Sequence, residues 1–212
     1  MNNLLLRFSK TDRMVFIGHL DLLKVFQTAV RRAGLAAAYS KGFNPHMLLT
    51  FALPLPLGAA GYDEHALLVT ERGETDAAAR LNRAMPDGLK ITESRMLDEN
   101  EKPNAAARVA AADYSAEIIA PQNLAEQIAK LLSSEKILIE KKSKSKTETA
   151  DIKPLIHYVK TDGEKIFMRL AAGSAKHLNP TSVLNLICDG YADVTRLRLL
   201  SENRGEFGPL FL

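Results

Sequence analysis

The sequence predicts an α+β protein made of two ferredoxin-like halves in tandem, each with the element order β-α-β-β-α-β. Short apolar runs of strand length alternate with longer segments whose apolar residues recur at helical spacing. This order of elements is found twice, on either side of a polar segment that contains Pro103. We therefore predict one domain over residues 1–99 and a second over residues 105–212.

The first half begins with a short apolar strand at residues 4–9. The helix that follows, at 19–33, has an apolar stripe and ends before Gly34, with Arg31 and Arg32 in its last turn, where cations suit the helix dipole. The pattern then predicts strands at 47–52, 65–70 and 89–95 and a helix at 75–85.

The second half is expected to repeat this order. Asp162 and Gly163 lie between two apolar runs and indicate a hairpin, and Pro180 is well placed to begin a helix. The predicted strands are 114–120, 136–140, 154–159, 165–170 and 194–200, and the predicted helices are 122–133 and 180–188. No residue-level repeat relates the halves, so the duplication is inferred from element order alone.

Composition excludes several classes of protein. The 212 residues include one cysteine, Cys188, which excludes an internal disulfide framework, a Cys-rich zinc site and an iron–sulfur cluster held by this chain alone. The longest stretch without a charged residue, 42–62, contains three prolines and does not suit a membrane-spanning helix. No secretory leader is recognisable at the start. We expect a cytoplasmic protein without a membrane segment.

The net charge of +3 is unevenly distributed along the chain. Residues 1–57 carry +5, residues 58–135 carry −6 and residues 136–212 carry +4. Such asymmetry favours a polyanionic partner, although charged stretches also serve simply to solvate a surface. Both interpretations stay open on charge alone.

The densest group of polar and aromatic residues lies between the first helix and the strand after it. Gly42 tolerates a positive φ, and Pro45 restricts the residue before it, so this loop is expected to hold a fixed shape. Its cation, amide, aromatic and imidazole side chains suit contacts to RNA phosphates and bases. The alternative is a well-made turn with a surface histidine. The candidate residues are Tyr39, Lys41, Gly42, Phe43, Asn44 and His46.

Two histidines are candidates for acid–base chemistry. His19, at the start of the first helix, and His46, in the loop, could approach each other, with Tyr39 nearby. Two histidines and Asp21 scattered over 28 residues are a weak metal signal, so we predict no metal site. Dinucleotide, phosphate-loop and hydrolase fingerprints are absent from the sequence.

A lysine-rich segment in the second half is a further candidate for contact with a phosphate backbone. Such contacts would make binding salt-sensitive, whereas a solvated β-hairpin arm is the simpler alternative. With Arg31 and Arg32 of the first helix, these lysines complete the predicted RNA-binding set. They are Lys141, Lys142, Lys144 and Lys146.

Several of these segments together resemble a bacterial family of unknown function that is linked to radical SAM enzymes. The resemblance is strong over residues 4–60 and continues weakly to residues 150–154. It departs from the family pattern at Gly18, where serine is usual, and at Lys41 and Met47, where glutamine and proline are usual. The segments that carry it are Ile17–Asp21, Arg31–Gly34, Tyr39–His46 and Leu53–Gly58.

The resemblance implies a radical SAM protein as partner and, from the family's genomic company, a connection with RNA processing. Any iron–sulfur cluster, S-adenosylmethionine or cobalamin would belong to that partner, because one cysteine cannot supply the three thiolates of a radical SAM cluster. No cofactor is therefore expected in this chain.

Two ferredoxin-like halves with a basic loop also resemble, in outline, the CRISPR repeat-processing endonucleases, which cleave RNA without metal. We therefore hold three hypotheses. The first is an accessory module that binds tRNA or rRNA for a radical SAM enzyme. The second is a metal-independent RNA-processing enzyme that uses His19, His46 and Tyr39. The third is a protein-binding adaptor. Fold alone does not choose among them.

Overall fold

Antiparallel strands and short helices make up the computed structural model, which describes residues 1–98, 101, 104–118, 123–142, 147–188 and 190–211. The chain divides into two compact units. Unit 1 comprises Met1–Val109 and Leu210–Leu212, and unit 2 comprises Ala110–Pro209. The predicted α+β class is confirmed. Within the described residues, no helix is both long enough and apolar enough to cross a membrane.

Unit 1 follows the predicted order of elements, with a short 3₁₀ helix at Asp12–Phe16 before its first α-helix. Apolar alternation explains its strands, and an apolar stripe explains its main helix. The bounds are β1 Asn2–Lys10, α1 His19–Arg32, β2 Leu49–Phe51, β3 Ala60–Thr70, α2 Ala77–Asn82, β4 Leu89–Met96 and α3 Ala105–Arg108.

The strands of unit 1 lie in the order β4-β1-β3-β2, and each neighbouring pair is antiparallel. In this register Leu4 faces Leu68 and Leu6 faces Ala66 across β1 and β3. These four side chains are buried with the apolar stripe of α1, which includes Phe26. The sheet and α1 therefore share one core.

Three phenylalanines lock α1 onto the sheet. Phe26 of α1 meets Phe8 of β1 edge-on at a ring-centroid distance of 4.8 Å and meets Phe51 of β2 at 5.1 Å. Phe8 and Phe51 also meet edge-on, at 5.7 Å. Edge-to-face packing is a favoured aromatic geometry, so the triad fixes the height of α1 above the sheet.

The turn before β4 depends on a glycine. Gly88 has a φ of +86°, and a Cβ built there would lie 2.6 Å from the carbonyl oxygen of Thr11. The amide of Thr11 donates to the carbonyl of Gly88 at 2.8 Å. A side chain at position 88 would therefore separate the end of β1 from the start of β4.

Unit 2 contains the remaining elements. Its bounds are β5 Ala111–Ile118, α4 Leu124–Ser133, β6 Leu138–Lys142, β7 Thr147–Asp151, β8 Ile156–Asp162, β9 Lys165–Ala171, α5 Pro180–Leu184, β10 Tyr191–Asn203 and β11 Glu206–Pro209, with a short 3₁₀ helix at Lys153–Leu155. The sheet order is β10-β5-β9-β8, β11 pairs with β10, and all of these pairs are antiparallel.

Two predicted elements of unit 2 differ in the structure, and its strands β7 and β11 were not predicted. Residues 136–140 were predicted as a strand, and β6 forms there, but its partner is β7 in a separate two-stranded sheet. The helix predicted at 180–188 ends at Leu184, although the amide of Cys188 still donates to the carbonyl of Leu184. The helix predicted at 122–133 is seen as α4, and residue 122 lies outside the described residues.

Candidate functional site

The loop from Ser40 to His46, here called the motif loop, is closed at its base. Tyr39 and Met47 form an antiparallel bridge, and the amide of Ser40 donates to the carbonyl of His46 at 2.9 Å. The Ser40 hydroxyl accepts from the amide of His46 at 3.1 Å and lies 2.8 Å from the Nδ1 atom of that residue. Gly42 takes a φ of +120°, a conformation suited to glycine. The fixed loop shape expected from the sequence is present.

The tip of the motif loop projects into solvent. Phe43 is fully exposed, with a relative accessibility of 111%, and Lys41 and Asn44 are exposed on either side of it. None of these three side chains has an ion pair, hydrogen bond or ring contact within the described part of the chain. A large aromatic ring held in water on a closed loop is typical of a contact surface.

The two candidate histidines make different contacts. His19 is the first residue of α1, and its ring lies edge-on to Phe51 at 5.5 Å. His46 is exposed and contacts Ser40. Among the described residues, no hydrogen bond or ring contact joins His19, His46 and Tyr39. The catalytic set remains a prediction.

A buried lysine that the sequence analysis did not single out anchors the segment before α1. Lys10, at the end of β1, is 1% exposed, and its Nζ donates to the carbonyls of Val15 and Ile17, each at 3.2 Å. These bonds fold the 3₁₀ segment back against the strand just before α1 begins. The sequence carries no signal for this burial, because Lys10 follows the apolar run directly and its acceptors lie in the next segment.

Exposed apolar side chains surround the start of α1. Phe16, Leu20 and Leu57 are 74%, 69% and 69% exposed. The amide of Gly58 donates to the carbonyl of Val15 at 2.9 Å, which brings the segment with Leu57 beside the 3₁₀ helix with Phe16. Three large apolar groups in water at one place are suited to contact with another molecule.

A groove of about 810 Å³ lies between α1 and α2, and we call it the basic groove. Its cations are Lys24, Arg32, Arg80 and Arg83, and the described residues that line it include no carboxylate. Arg31, its neighbour in α1, does not line the groove. The sequence analysis grouped Arg31 with Arg32, but only Arg32 lies on the side of α1 that lines the groove.

The four cations of the basic groove differ in their partners. Arg80 donates to a Glu74 carboxylate oxygen at 2.8 Å and to the carbonyls of Ala33 and Gly34. Lys24 lies 3.3 Å from Asp21 in an exposed pair, which contributes little. Arg32 and Arg83 have no ion pair or hydrogen bond among the described residues.

The lysine-rich segment begins in the two-stranded arm of β6 and β7. Lys141 and Lys142 lie on the backbone of β6, opposite Glu148 and Thr147 of β7. Lys144 and Lys146 lie outside the described residues. Their predicted contact with RNA is untested.

One face of the unit 2 sheet carries two rows of aromatic and basic side chains. The first row runs through the register pairs of Tyr158 with Arg169, Arg169 with Asp113, and Asp113 with Arg198. The second row, two residues along, runs through Lys160, Phe167, Ser115 and Thr195. The intervening residues of β9, Ile166, Met168 and Leu170, are fully buried on the opposite face.

Asp113 holds the first row together. Arg169 donates to both of its carboxylate oxygens, at 2.7 and 3.0 Å, and Arg198 donates to one of them at 2.8 Å. Burial opposes the ionised form of Asp113, but the two arginines outweigh it and lower the pKa of that carboxyl. The Arg169 guanidinium also lies 5.3 Å from the ring centroids of Tyr158 and Phe207. The sequence analysis identified this hairpin but not its surface, because partners in β5 and β10 are remote in sequence.

The corresponding face of the unit 1 sheet is covered at His65. His65 of β3 is 6% exposed, and its ring lies 5.7 Å from that of Phe211. Arg108 of α3 stacks over the same Phe211 ring at 4.6 Å. Phe211 thus covers this sheet face at His65, whereas Arg7 and Glu93 on the same face stay about half exposed.

A comparison with family models decides the family. The model described as "Uncharacterized protein conserved in bacteria (DUF2344)" matches residues 3–180. The chain belongs to this family. Membership of an uncharacterized bacterial family, implied by the resemblance, is thus confirmed, and the link to radical SAM enzymes stays a prediction.

The family match covers most of the candidate site. The motif loop, the basic groove and the hairpin with Tyr158 and Arg169 all lie inside it, whereas Arg198 and Phe207 follow its end. Among the described residues, no group of three or more His, Cys, Asp or Glu side chains is arranged to hold a metal ion.

Curated proteins and solved structures add little to the family match. No curated protein matches the chain. One similar structure is of an unknown protein from Galdieria sulphuraria, with 12% identity over 88% of this chain and 86% of that chain and a TM-score of 0.30. Another is of a putative glycine cleavage system transcriptional repressor, with 11% identity, coverages of 87% and 86% and a TM-score of 0.25.

Proposed function

We propose that this protein is an accessory module that binds RNA, of the tRNA or rRNA class, for a radical SAM enzyme. The observation that carries the proposal is the motif loop, whose closed base presents a fully exposed Phe43 between Lys41 and Asn44. An exposed aromatic ring stacks on an unpaired base, and neighbouring donors bind phosphates and base edges. The fixed loop reduces the entropy lost on binding.

Charge supports an RNA ligand over a neutral one. The first 57 residues carry +5, and the exposed cation at the loop tip has no carboxylate partner among the described residues. The Lys-rich arm would add phosphate contacts beyond the loop. Each phosphate contact releases counterions, so affinity is expected to fall steeply with salt.

The fold proposal is that both units are ferredoxin-like. Numbering the sheet strands of each unit in chain order gives the spatial order 4-1-3-2 twice, with β4-β1-β3-β2 in unit 1 and β10-β5-β9-β8 in unit 2. One helix follows the first strand and another follows the third strand of each unit. The strand order and the helix positions support this architecture, and a fold by itself does not determine function.

The proposed partner supplies the chemistry. The family resemblance in segments such as Ile17–Asp21 motivates a radical SAM protein, in which the iron–sulfur cluster and S-adenosylmethionine would reside. The role of this chain would then be to hold the RNA near that cluster. The apolar side chains of Phe16, Leu20 and Leu57 are available for contact with the partner.

The loop is tested by Phe43→Ala in a binding titration with total tRNA and rRNA fragments at two salt concentrations. Loss of one stacked base costs about 1–3 kcal/mol, so affinity is expected to fall about 5- to 150-fold. Lys41→Ala should weaken binding and reduce its salt dependence. Phe16→Ala removes an equally large exposed ring outside the loop and is the matched control.

Equal losses for Phe43→Ala and Phe16→Ala, or binding that is independent of salt, would contradict the proposal. If no RNA binds but the radical SAM protein co-purifies after nuclease treatment, the protein is an adaptor. Cleavage of RNA in EDTA that His46→Ala abolishes would instead establish the enzyme hypothesis.

A further inference from the structure

The basic groove combines a positive rim with an apolar interior. The four cations that line it come from both α1 and α2, and Val25, Ala84, Met85 and Pro86 supply apolar surface between them. Its volume of about 810 Å³ lies within the range of small-molecule sites. Phe43 and the other exposed residues of the motif loop tip take no part in its lining.

One arginine of the groove is held in place and two are available. Arg80 is fixed by Glu74, whose side chain is 3% exposed, and by two backbone carbonyls of the turn after α1. Its charge is therefore balanced inside the protein. Arg32 and Arg83 line the same groove without a counter-ion from the described residues.

The helix dipole does not account for this arrangement. Cations in the last turn of a helix interact favourably with its carbonyl end, which accounts for Arg31 and Arg32 on α1 and for Arg80 on α2. It does not require Arg32 and Arg83 to line one shared groove, because like charges at one place repel. Arg31 shows the alternative, since it lies in the same turn of α1 but outside the groove.

We propose that the basic groove binds a nucleotide, with Arg32 and Arg83 on its phosphate and the apolar surface beside its base or sugar. Guanidinium groups bind phosphate through paired charge-assisted hydrogen bonds. The apolar surface distinguishes a nucleotide from free phosphate. This inference stands whether or not the motif loop binds RNA.

The same chemistry has two sources, a free mononucleotide and one nucleotide unit of an RNA chain. Calorimetric titration of the full chain with AMP, inorganic phosphate and a short single-stranded oligoribonucleotide separates them. Binding of AMP with weaker binding of phosphate identifies a free nucleotide. If only the oligoribonucleotide binds, and Arg32→Gln or Arg83→Gln weakens that binding, the ligand of the groove is a nucleotide unit of an RNA chain.

Arg32→Gln and Arg83→Gln should each weaken binding about tenfold or more, which corresponds to about 1.4 kcal/mol. Arg31→Gln is the matched control, since it removes the same charge from the adjacent position and should leave binding within twofold. All three arginines are exposed, so the variants are expected to fold, and circular dichroism checks this.

Two results overturn the inference. If Arg31→Gln weakens binding as much as Arg32→Gln, the effect is general charge attraction and not a site. If none of the three probes binds in a manner that Arg32→Gln or Arg83→Gln reduces, the groove is not a nucleotide site.

Discussion

His65 is a buried imidazole whose environment opposes its charge. Burial lowers the pKa of His65, and the carboxylates of Asp63, Glu64 and Glu93 oppose this effect, whereas Arg7 adds to it. The Nδ1 atom of His65 has no hydrogen-bond partner among the residues that the structure describes. The ring is therefore neutral near pH 7 and resists protonation in the folded state.

Acidification should destabilise the protein through His65. Because its folded pKa lies below the ordinary value of 6.5, the unfolded chain binds more protons in the interval between the two. The free energy of unfolding should be highest above pH 6.5 and fall as the pH decreases through that interval. Urea unfolding of the wild type and of His65→Leu at pH 5 to 8 measures the difference.

The His65→Leu variant should retain a smaller pH dependence. Burial also lowers the pKa of His157, so that residue contributes in both proteins. His46→Gln, at an exposed position, is the matched control and should follow the wild type. An identical pH dependence in wild type and His65→Leu would refute the assignment.

Sequence patterns identified residues whose contacts lie close to them in the chain. Gly42, Phe43 and His46 belong to one closed loop, and the sequence was enough to predict its fixed shape. Lys10, His65 and Arg169 were not identified, because each owes its role to a neighbour in another strand or segment. Register between distant strands is not readable from a single sequence.

Among the elements, α1 illustrates how burial determines stability. Phe26 is fully buried in the aromatic triad with Phe8 and Phe51. Phe26→Ala should lower the free energy of unfolding by about 3–5 kcal/mol because it leaves a cavity. Leu20→Ala, on the exposed side of α1, is the control and should change it by no more than about 0.5 kcal/mol. Denaturant unfolding measures both, and equal losses would contradict this account of the core.

The spacing of apolar residues predicted the elements that bury one face. It gave no prediction for elements that lack such spacing. The bounds of α1 and β4 agree with prediction to about one residue at each end. In contrast, β7 contains Thr147–Asp151, which has no apolar alternation, because its two-stranded arm needs no buried face. Its partner β6 was predicted from its apolar residues without any indication of where it pairs.

At the scale of the whole molecule, the chain returns to unit 1 at residues 210 and 211. Leu210 is 1% exposed, and Phe211 packs against His65 and Arg108. The sequence analysis placed these residues in a second domain, because a short apolar segment after the last strand carries no indication of its partner. Compact units in space thus differ from continuous segments of sequence.

Phe211→Ala should therefore destabilise unit 1, although more than 100 residues separate it from Arg108 in the sequence. The ring is only partly buried, so the expected loss is about 1–3 kcal/mol, below that of a core phenylalanine. Hydrogen exchange of the β3 amides, compared between wild type and variant, measures it. Phe16→Ala is the exposed control, and unchanged protection in Phe211→Ala would show that the segment is not part of the unit 1 fold.

This return has a consequence for synthesis on the ribosome. Translation adds about 5–20 residues per second, so the 100 residues of Ala110–Pro209 take about 5–20 s to appear. During that interval the β3 face around His65 lacks its Phe211 cover. The first unit to be made is therefore the last to be completed, and until then its His65 ring lies open to water.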